Sequence, residues 1–253
     1  MVAIQIFSVR SSICFGFAAA FASINAMHSF SFLKLALTAC VLLLMPLDAD
    51  AQRPPSPSQV AAYEGMFKAG YEGNLQQLTR LLSSGSDIEA RDPNGRTPLH
   101  VAAYASHENA VELLIRQGAN ADALDNQDYD IVTIAAVADD LEVLETALRM
   151  GTSSGNITSP YEGTALIAAA HLGHHEVVKM LIDAGAPLDH INNLHWTALM
   201  ESVVLGDGGS DHLTTARHLL GAGADKSIAD RDGITPYQHA VNRGFAEMAN
   251  LLR

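Results

Sequence analysis

The chain has 253 residues, of which 48% are hydrophobic, 17% charged and 6% aromatic, and it carries a formal net charge of −13 at neutral pH. An acid excess of this size excludes DNA or RNA as a default partner, because phosphate binding needs a basic footprint. It also argues against attraction to an anionic membrane surface.

Residues 1–51 read as a leader. Lys34 precedes the apolar run from Leu35 to Leu47, and Ala49-Asp50-Ala51 comes next with the small-residue pattern of a cleavage site. A basic, an apolar and a small-residue zone in that order make a secretory signal peptide. The 13-residue apolar stretch falls short of the roughly 20 residues that cross a bilayer, so no stable membrane span is expected. Met27 is a natural start for such a peptide, and residues 1–26 would then lie upstream of the true start. Cleavage after Ala51 predicts an exported, periplasmic protein. The alternative is a lipid anchor on Cys40 within Leu37-Thr-Ala-Cys40, against which stands the apolar stretch Val41 to Met45 after the cysteine. The chain's two cysteines, Cys14 and Cys40, both fall in the leader. Residues 52–253 therefore have no disulfide, thiolate ligand or thiol nucleophile, and suit an oxidising compartment. Asp48, Asp50, Arg10 and Lys34 cancel within the leader, so residues 52–253 keep the full −13. Residues 52–57, rich in proline and serine, read as a short mobile linker.

From residue 58 onward a pattern recurs. Thr97-Pro98-Leu99-His100-Val-Ala102-Ala103 is followed by Val111-Glu-Leu113-Leu114 and Gly118-Ala119. The skeleton returns at Thr164-Ala165-Leu166 with Leu181 and Gly185-Ala186, at Thr197-Ala198-Leu199 with Leu219-Leu220 and Gly223-Ala224, and at Thr235-Pro236 with Ala240 and Leu251-Leu252. The threonines are 67, 33 and 38 residues apart. The first interval is two periods with Asp130 where a threonine is missing. The last is one period plus five residues, inserted within Gly206–Asp211. Upstream, Ala69-Gly70, Leu78 and Gly85 keep the register, with Glu64-Gly65 in place of Thr-Pro. These marks divide the chain into an N-terminal cap (58–91), internal repeats 92–124, 125–157, 158–191 and 192–229, and a C-terminal cap (230–253).

The physics of one repeat explains the residue choices. Thr97 caps a helix and Pro98 takes its first position, where a missing N–H costs nothing. Leu99, Ala102 and Ala103 share one face, and the small alanines let neighbouring helices approach. A second helix, about Asn109 to Gln117, buries Val111, Leu114 and Ile115, and Gly118 ends it in a left-handed conformation. Asp-x-x-Gly before the threonine is turn chemistry. One such unit cannot bury its own apolar face, so several must stack.

This pattern resembles the ankyrin repeat family, in its period and in its Thr-Pro-Leu-His-x-Ala core, over residues 58–253. The resemblance implies an all-α solenoid of stacked helix-turn-helix units with short β-hairpin tips, about six repeats including the caps. It makes His100 a structural residue, with Gln238 at the equivalent place in the last copy. It further implies a monomeric, non-catalytic module that binds another protein on a concave face built from hairpin tips and first helices. Mapped here, that face includes Asn94, Gln127, His171, Leu194 and Asn242, and its expected partner-binding residues are Arg96, Tyr104, Tyr129, Tyr161, Trp196, Arg231 and Arg243. Aromatics and arginine are enriched at binding hot spots. The competing reading is that these rings pack between adjacent hairpins. An enzyme accessory and an inhibitor or immunity protein are the roles such an exported module would fill.

No nucleophile elbow, phosphate-binding loop, dinucleotide fingerprint or HExxH is present, so neither a catalytic residue nor a cofactor is expected. His171-Leu-Gly-His174-His175 is the one cluster that suggests metal chemistry, and a histidine-based metal-binding protein is the alternative function. Against it, His171 ends one expected helix, His174 sits in the turn and His175 opens the next helix. No carboxylate or thiolate completes the set. Asp207-Gly-Gly-Ser-Asp211 lacks the spacing of a calcium loop.

Overall fold

The computed structural model describes residues 52–253. The expectations for the leader, including a start at Met27, cleavage after Ala51 and lipidation of Cys40, lie outside the described residues. A short helix α1 (Pro57–Ala62) leads into six helix pairs. They are α2 (Gly65–Tyr71) with α3 (Leu75–Ser83), α4 (Pro98–Tyr104) with α5 (Glu108–Arg116), and α6 (Ile131–Ala138) with α7 (Leu141–Arg149). Then come α8 (Ala165–Leu172) with α9 (His175–Asp183), α10 (Ala198–Val204) with α11 (Ser210–Gly221), and α12 (Pro236–Asn242) with α13 (Ala246–Leu252). The even-numbered helices stack as an inner row and their odd-numbered partners as an outer row. No helix among the described residues is long and apolar enough to cross a membrane.

Each inner helix from α4 onward begins on a side-chain cap. Thr97, Thr164, Thr197 and Thr235 accept from the backbone N–H three residues on, and Asp130 does the same where the threonine is missing. In α4 the third residue answers the cap: the Thr97 N–H donates to His100 Nδ1 at 3.1 Å, and His100 Nε2 reaches the Tyr129 carbonyl at 3.2 Å. That pattern fixes the Nε2–H tautomer, and burial holds His100 below the usual imidazole range. Gln238 plays the capping part in α12, accepting from the Thr235 N–H at 2.8 Å. Three other imidazoles staple the second, fourth and fifth pairs to the pair before, with His107, His174 and His212 reaching the carbonyls of Tyr71, Ala136 and His171. His212 stands just after the five-residue insertion, and its second nitrogen meets Asp207 of that insertion at 3.0 Å.

The core is continuous along the stack. Leu99, Leu166 and Leu199, two residues after each cap, are 1% exposed or less, as are Leu114, Leu144, Leu181 and Leu219 of the outer row. The pairs Ala102-Ala103, Ala135-Ala136 and Ala169-Ala170 are buried where inner helices meet. In the first pair Gly70 goes further: a Cβ there would stand 2.9 Å from the Pro98 carbonyl oxygen, so α2 and α4 meet at van der Waals distance with no room for a side chain.

One expectation is corrected. The tips form turns rather than β-hairpins, and among the described residues only Thr158 and Gly163 make a β-bridge. Neighbouring tips instead join through single backbone bonds, Asn126 to Asn94, Ser159 to Asp128 and Asn193 to Tyr161. Residues 52–57 lead into the first helix. Ser56 caps α1, which begins at Pro57, and the Arg53 carbonyl accepts from the guanidinium of Arg96.

The terminal pair covers the inner and outer faces of α10 and α11 with Ala240, Met248 and Leu252, each 2% exposed or less. Deleting residues 230–253 uncovers that face, and end repeats govern solubility in such arrays. The truncated protein is expected to melt at lower temperature and to aggregate, measured by thermal unfolding and light scattering.

Candidate functional site: the groove face of the inner helices

Helical spacing divides each inner helix into two sides. The second, fifth and sixth residues after the cap enter the core. The fourth, seventh and eighth lie on the other side; the seventh and eighth reach the groove surface, while the fourth is buried at Val101, Ile134 and Glu201. The seventh positions are Tyr104, Val137, His171, Val204 and Asn242, and the eighth are Ala105, Ala138, Leu172, Leu205 and Arg243. Among them the large apolar side chains in solvent are Leu172 of the fourth pair, 40% exposed, and Leu205 of the fifth, 36% exposed. Neither leucine stood out in the sequence, because each sits two residues past the alanine or valine core pattern and reads as a helix end.

Of the seven residues assigned to a partner surface, two are buried and so corrected. Arg96 is 2% exposed and Tyr129 5%. The Arg96 guanidinium lies 3.8 Å from Asp92 and 4.0 Å from Asp125, and its Cζ is 5.2 Å from the Tyr104 ring centroid. Tyr63 donates to Asp92 at 2.9 Å, and burial, reinforced by that carboxylate, pushes its hydroxyl up to about 12. Burial also raises the Tyr104 hydroxyl. Arg96 is thus the shared counter-ion of two hairpin acids, and it also ties down the peptide before α1. Tyr129 is spent on packing, with its carbonyl taking His100.

Tyr104, Tyr161 and Trp196 are half-buried. Trp196 is therefore more than a solvent-facing tip, and its removal carries a packing cost. Arg231 and Arg243 are exposed, but their guanidinium groups donate to backbone carbonyls of the preceding repeat, Arg231 to Asn193 and Arg243 to Val204 and Gly206. Burial of its head group lowers the pKa of Arg243. Leu172 and Leu205 are the exposed large apolar side chains among these inner-helix positions.

The histidine cluster disperses. His174 bonds the Ala136 carbonyl, His175 approaches Glu176 at 3.6 Å and the His218 ring at 6.3 Å, and His171 turns toward α10. Among the described residues no group of three or more His, Cys, Asp or Glu is placed to hold a metal ion. The helix ends that separate these residues point their rings to different neighbours.

One residue of the groove was missed altogether. Glu201 is the fourth residue after its cap, a register that holds Val101, Ile134 and Ala168 in the three repeats before it. It is 3% exposed. Asn192 donates to its Oε1 at 3.0 Å, while Oε2 has no hydrogen-bond partner and lies 3.5 Å from His171 Nδ1. Burial pushes the carboxyl up to about 7, the Asn192 amide opposing. An acid in an apolar register was the sequence signal available.

A family model described as ankyrin repeats in three copies matches residues 66–153 and 133–230. The chain is 31% identical to the ankyrin repeat protein YahD of Escherichia coli K12, over 73% of this chain and 92% of that one. Among solved structures, an ankyrin repeat domain from Acinetobacter baumannii superposes with a TM-score of 0.70 at 41% identity, covering 74% of this chain and 95% of its own. The ankyrin repeat protein EF0377 gives 0.70 at 28% identity, covering 76% and 98%. The chain belongs to the ankyrin repeat family, and as such it is a module for interaction with other proteins.

The buried charges yield two predictions. Arg96→Ala strands Asp92 and Asp125 without their cation, and breaking a buried pair costs about 3–5 kcal/mol, so the urea midpoint should fall sharply. For Glu201 the folded pKa lies above the unfolded one. Its contribution is therefore fully present below about 4.5 and is lost as pH rises through about 7. At 1.36 kcal/mol per unit the loss is at most about 3 kcal/mol. Glu201→Gln, a mimic of the protonated acid, should flatten this decline, so that urea unfolding at pH 8 finds it more stable than the parent and at pH 5 nearly equal.

Proposed function

We propose that this chain binds a partner protein through the groove face of its fourth and fifth repeats, without catalysis of its own. The observation that carries the reading is the pair Leu172 and Leu205, 40% and 36% exposed at one register of adjacent stacked helices. Apolar side chains kept in solvent on the same face of successive repeats gain by being covered, and the half-buried rings of Tyr161 and Trp196 supply the kind of anchor found at hot spots. The leader and the cysteine-free remainder support a periplasmic setting, in which the protein acts as a monomeric accessory or inhibitory partner of an exported enzyme. The alternative of a histidine-based metal protein has no converging ligands behind it among the described residues.

The test is capture of partners from a periplasmic extract by residues 52–253. Leu172→Asp with Leu205→Asp should abolish capture of any partner the parent holds specifically. The melting temperature should barely move, because exposed substitutions usually stay within about 0.5 kcal/mol. Unchanged capture by the double variant would put the interface elsewhere.

A further inference from the structure

Glu201 leaves a buried carboxylate oxygen without a donor on the groove face that the partner covers. Other repeats show how this fold normally answers such an acid. In the sixth repeat the registers of Asn192 and Glu201 hold Asp230 and His239, which meet at 2.7 Å. In the second, Arg96 lends its permanent charge to Asp92 at 3.8 Å and Asp125 at 4.0 Å, although Asp125 Oδ2 also lacks a hydrogen bond. In the fifth, the hairpin residue is Asn192, an amide, and it satisfies only Oε1 of Glu201. The fifth repeat sets no permanent cation against Glu201, only the imidazole of His171.

Nearby bases do not make up the deficit. His239 is held by Asp230, Arg243 by the Val204 and Gly206 carbonyls, and Arg231 by the Asn193 carbonyl. His171, from α8, is the group that faces Oε2, at a separation of 3.5 Å, and its side chain is 49% exposed. That separation is too long for a good hydrogen bond, so the imidazole covers the oxygen without sealing it. Trp196 adjoins the site, its backbone N–H donating to Asn192 Oδ1 at 2.9 Å.

We propose that Glu201, with Asn192 behind it and His171 as a displaceable cover, is a socket for an arginine or lysine side chain of the partner. This rests on the groove-face reading and names the chemistry of what enters it. A guanidinium or ammonium group supplies the charge-assisted hydrogen bond that Oε2 lacks. The chain's net charge of −13 draws a basic partner toward the groove and disfavours an acidic one. Cation binding favours the ionised carboxyl. Because burial raises the carboxyl's pKa, affinity should rise as pH increases through neutrality, with release of a proton from Glu201.

Trp196 is the chain's single tryptophan, so its fluorescence can be followed without a label. The experiment titrates residues 52–253 with a blocked Gly-Arg-Gly peptide and with its neutral citrulline counterpart, following Trp196 fluorescence at pH 8. The arginine peptide should saturate at least about tenfold more tightly than the citrulline peptide, the scale of one charged hydrogen bond. Glu201→Gln should erase that difference while its unfolding curve shows it folded. His171→Ala, which removes the cover, should retain or strengthen binding. His171→Arg, which supplies the cation internally, should block the peptide and raise the melting temperature at pH 8. Equal binding of the two peptides, undiminished binding by Glu201→Gln, loss of binding in His171→Ala, or full binding by His171→Arg would each overturn the proposal. No partner protein enters this titration, so the socket can fail while the leucine surface still captures its partner, and the reverse.

Discussion

No helix pair in this chain can hide its own apolar side, and the rest of the structure answers that constraint. An inner helix of seven or eight residues is too short to persist alone in water. It gains its stability from neighbours that cover it on both flanks. The alanine pairs at the fifth and sixth positions after the cap set how close those neighbours come, and Gly70 brings α2 and α4 closer still. Stability is then shared from repeat to repeat, and the ends need special treatment. At one end α13 closes the core with Met248 and Leu252. At the other, α1 and Tyr63 lean on the hairpin of the second repeat through Asp92.

Stacking also dictates where polar groups go. Hairpin acids at Asp92 and Asp125 are pressed between tips and would be costly alone. Arg96 serves both, and in doing so it leaves the surface that its residue type suggested. The staples made by His107, His174 and His212 work the same way, each spending an imidazole on a carbonyl of the previous inner helix. Histidines clustered in sequence are therefore dispersed in space, because successive helix ends face different repeats. The five-residue insertion keeps this arrangement, since Asp207 and His212 rebuild the staple across it.

The fifth repeat departs from its neighbours. Its groove register carries an acid where other repeats carry an apolar side chain or a paired histidine. The same stretch exposes Leu205 beside Leu172. Polar dissatisfaction and apolar exposure are both states that a bound partner relieves, which is why the partner is proposed to bind at this part of the solenoid.

The sequence by itself determined the architecture. Threonine caps, alanine pairs and glycine stops recur at a fixed period, and each is local chemistry that holds wherever the repeat sits. Even the altered copies were legible: Asp130 replaces a threonine because a carboxylate caps as well as a hydroxyl, and Gln238 replaces His100 because an amide oxygen can also accept from the cap N–H. The roles of the groove residues were decided only by the tertiary structure. Arg96 and Trp196 occupy one register and look alike as candidates, yet one is enclosed by acids from two tips and the other is half-buried beside an amide. Whether a side chain at that register is spent inward or left for a partner depends on what the adjacent repeat presents across the stack. For Arg96 and Asp125 that contact spans 29 residues, beyond the reach of any local pattern.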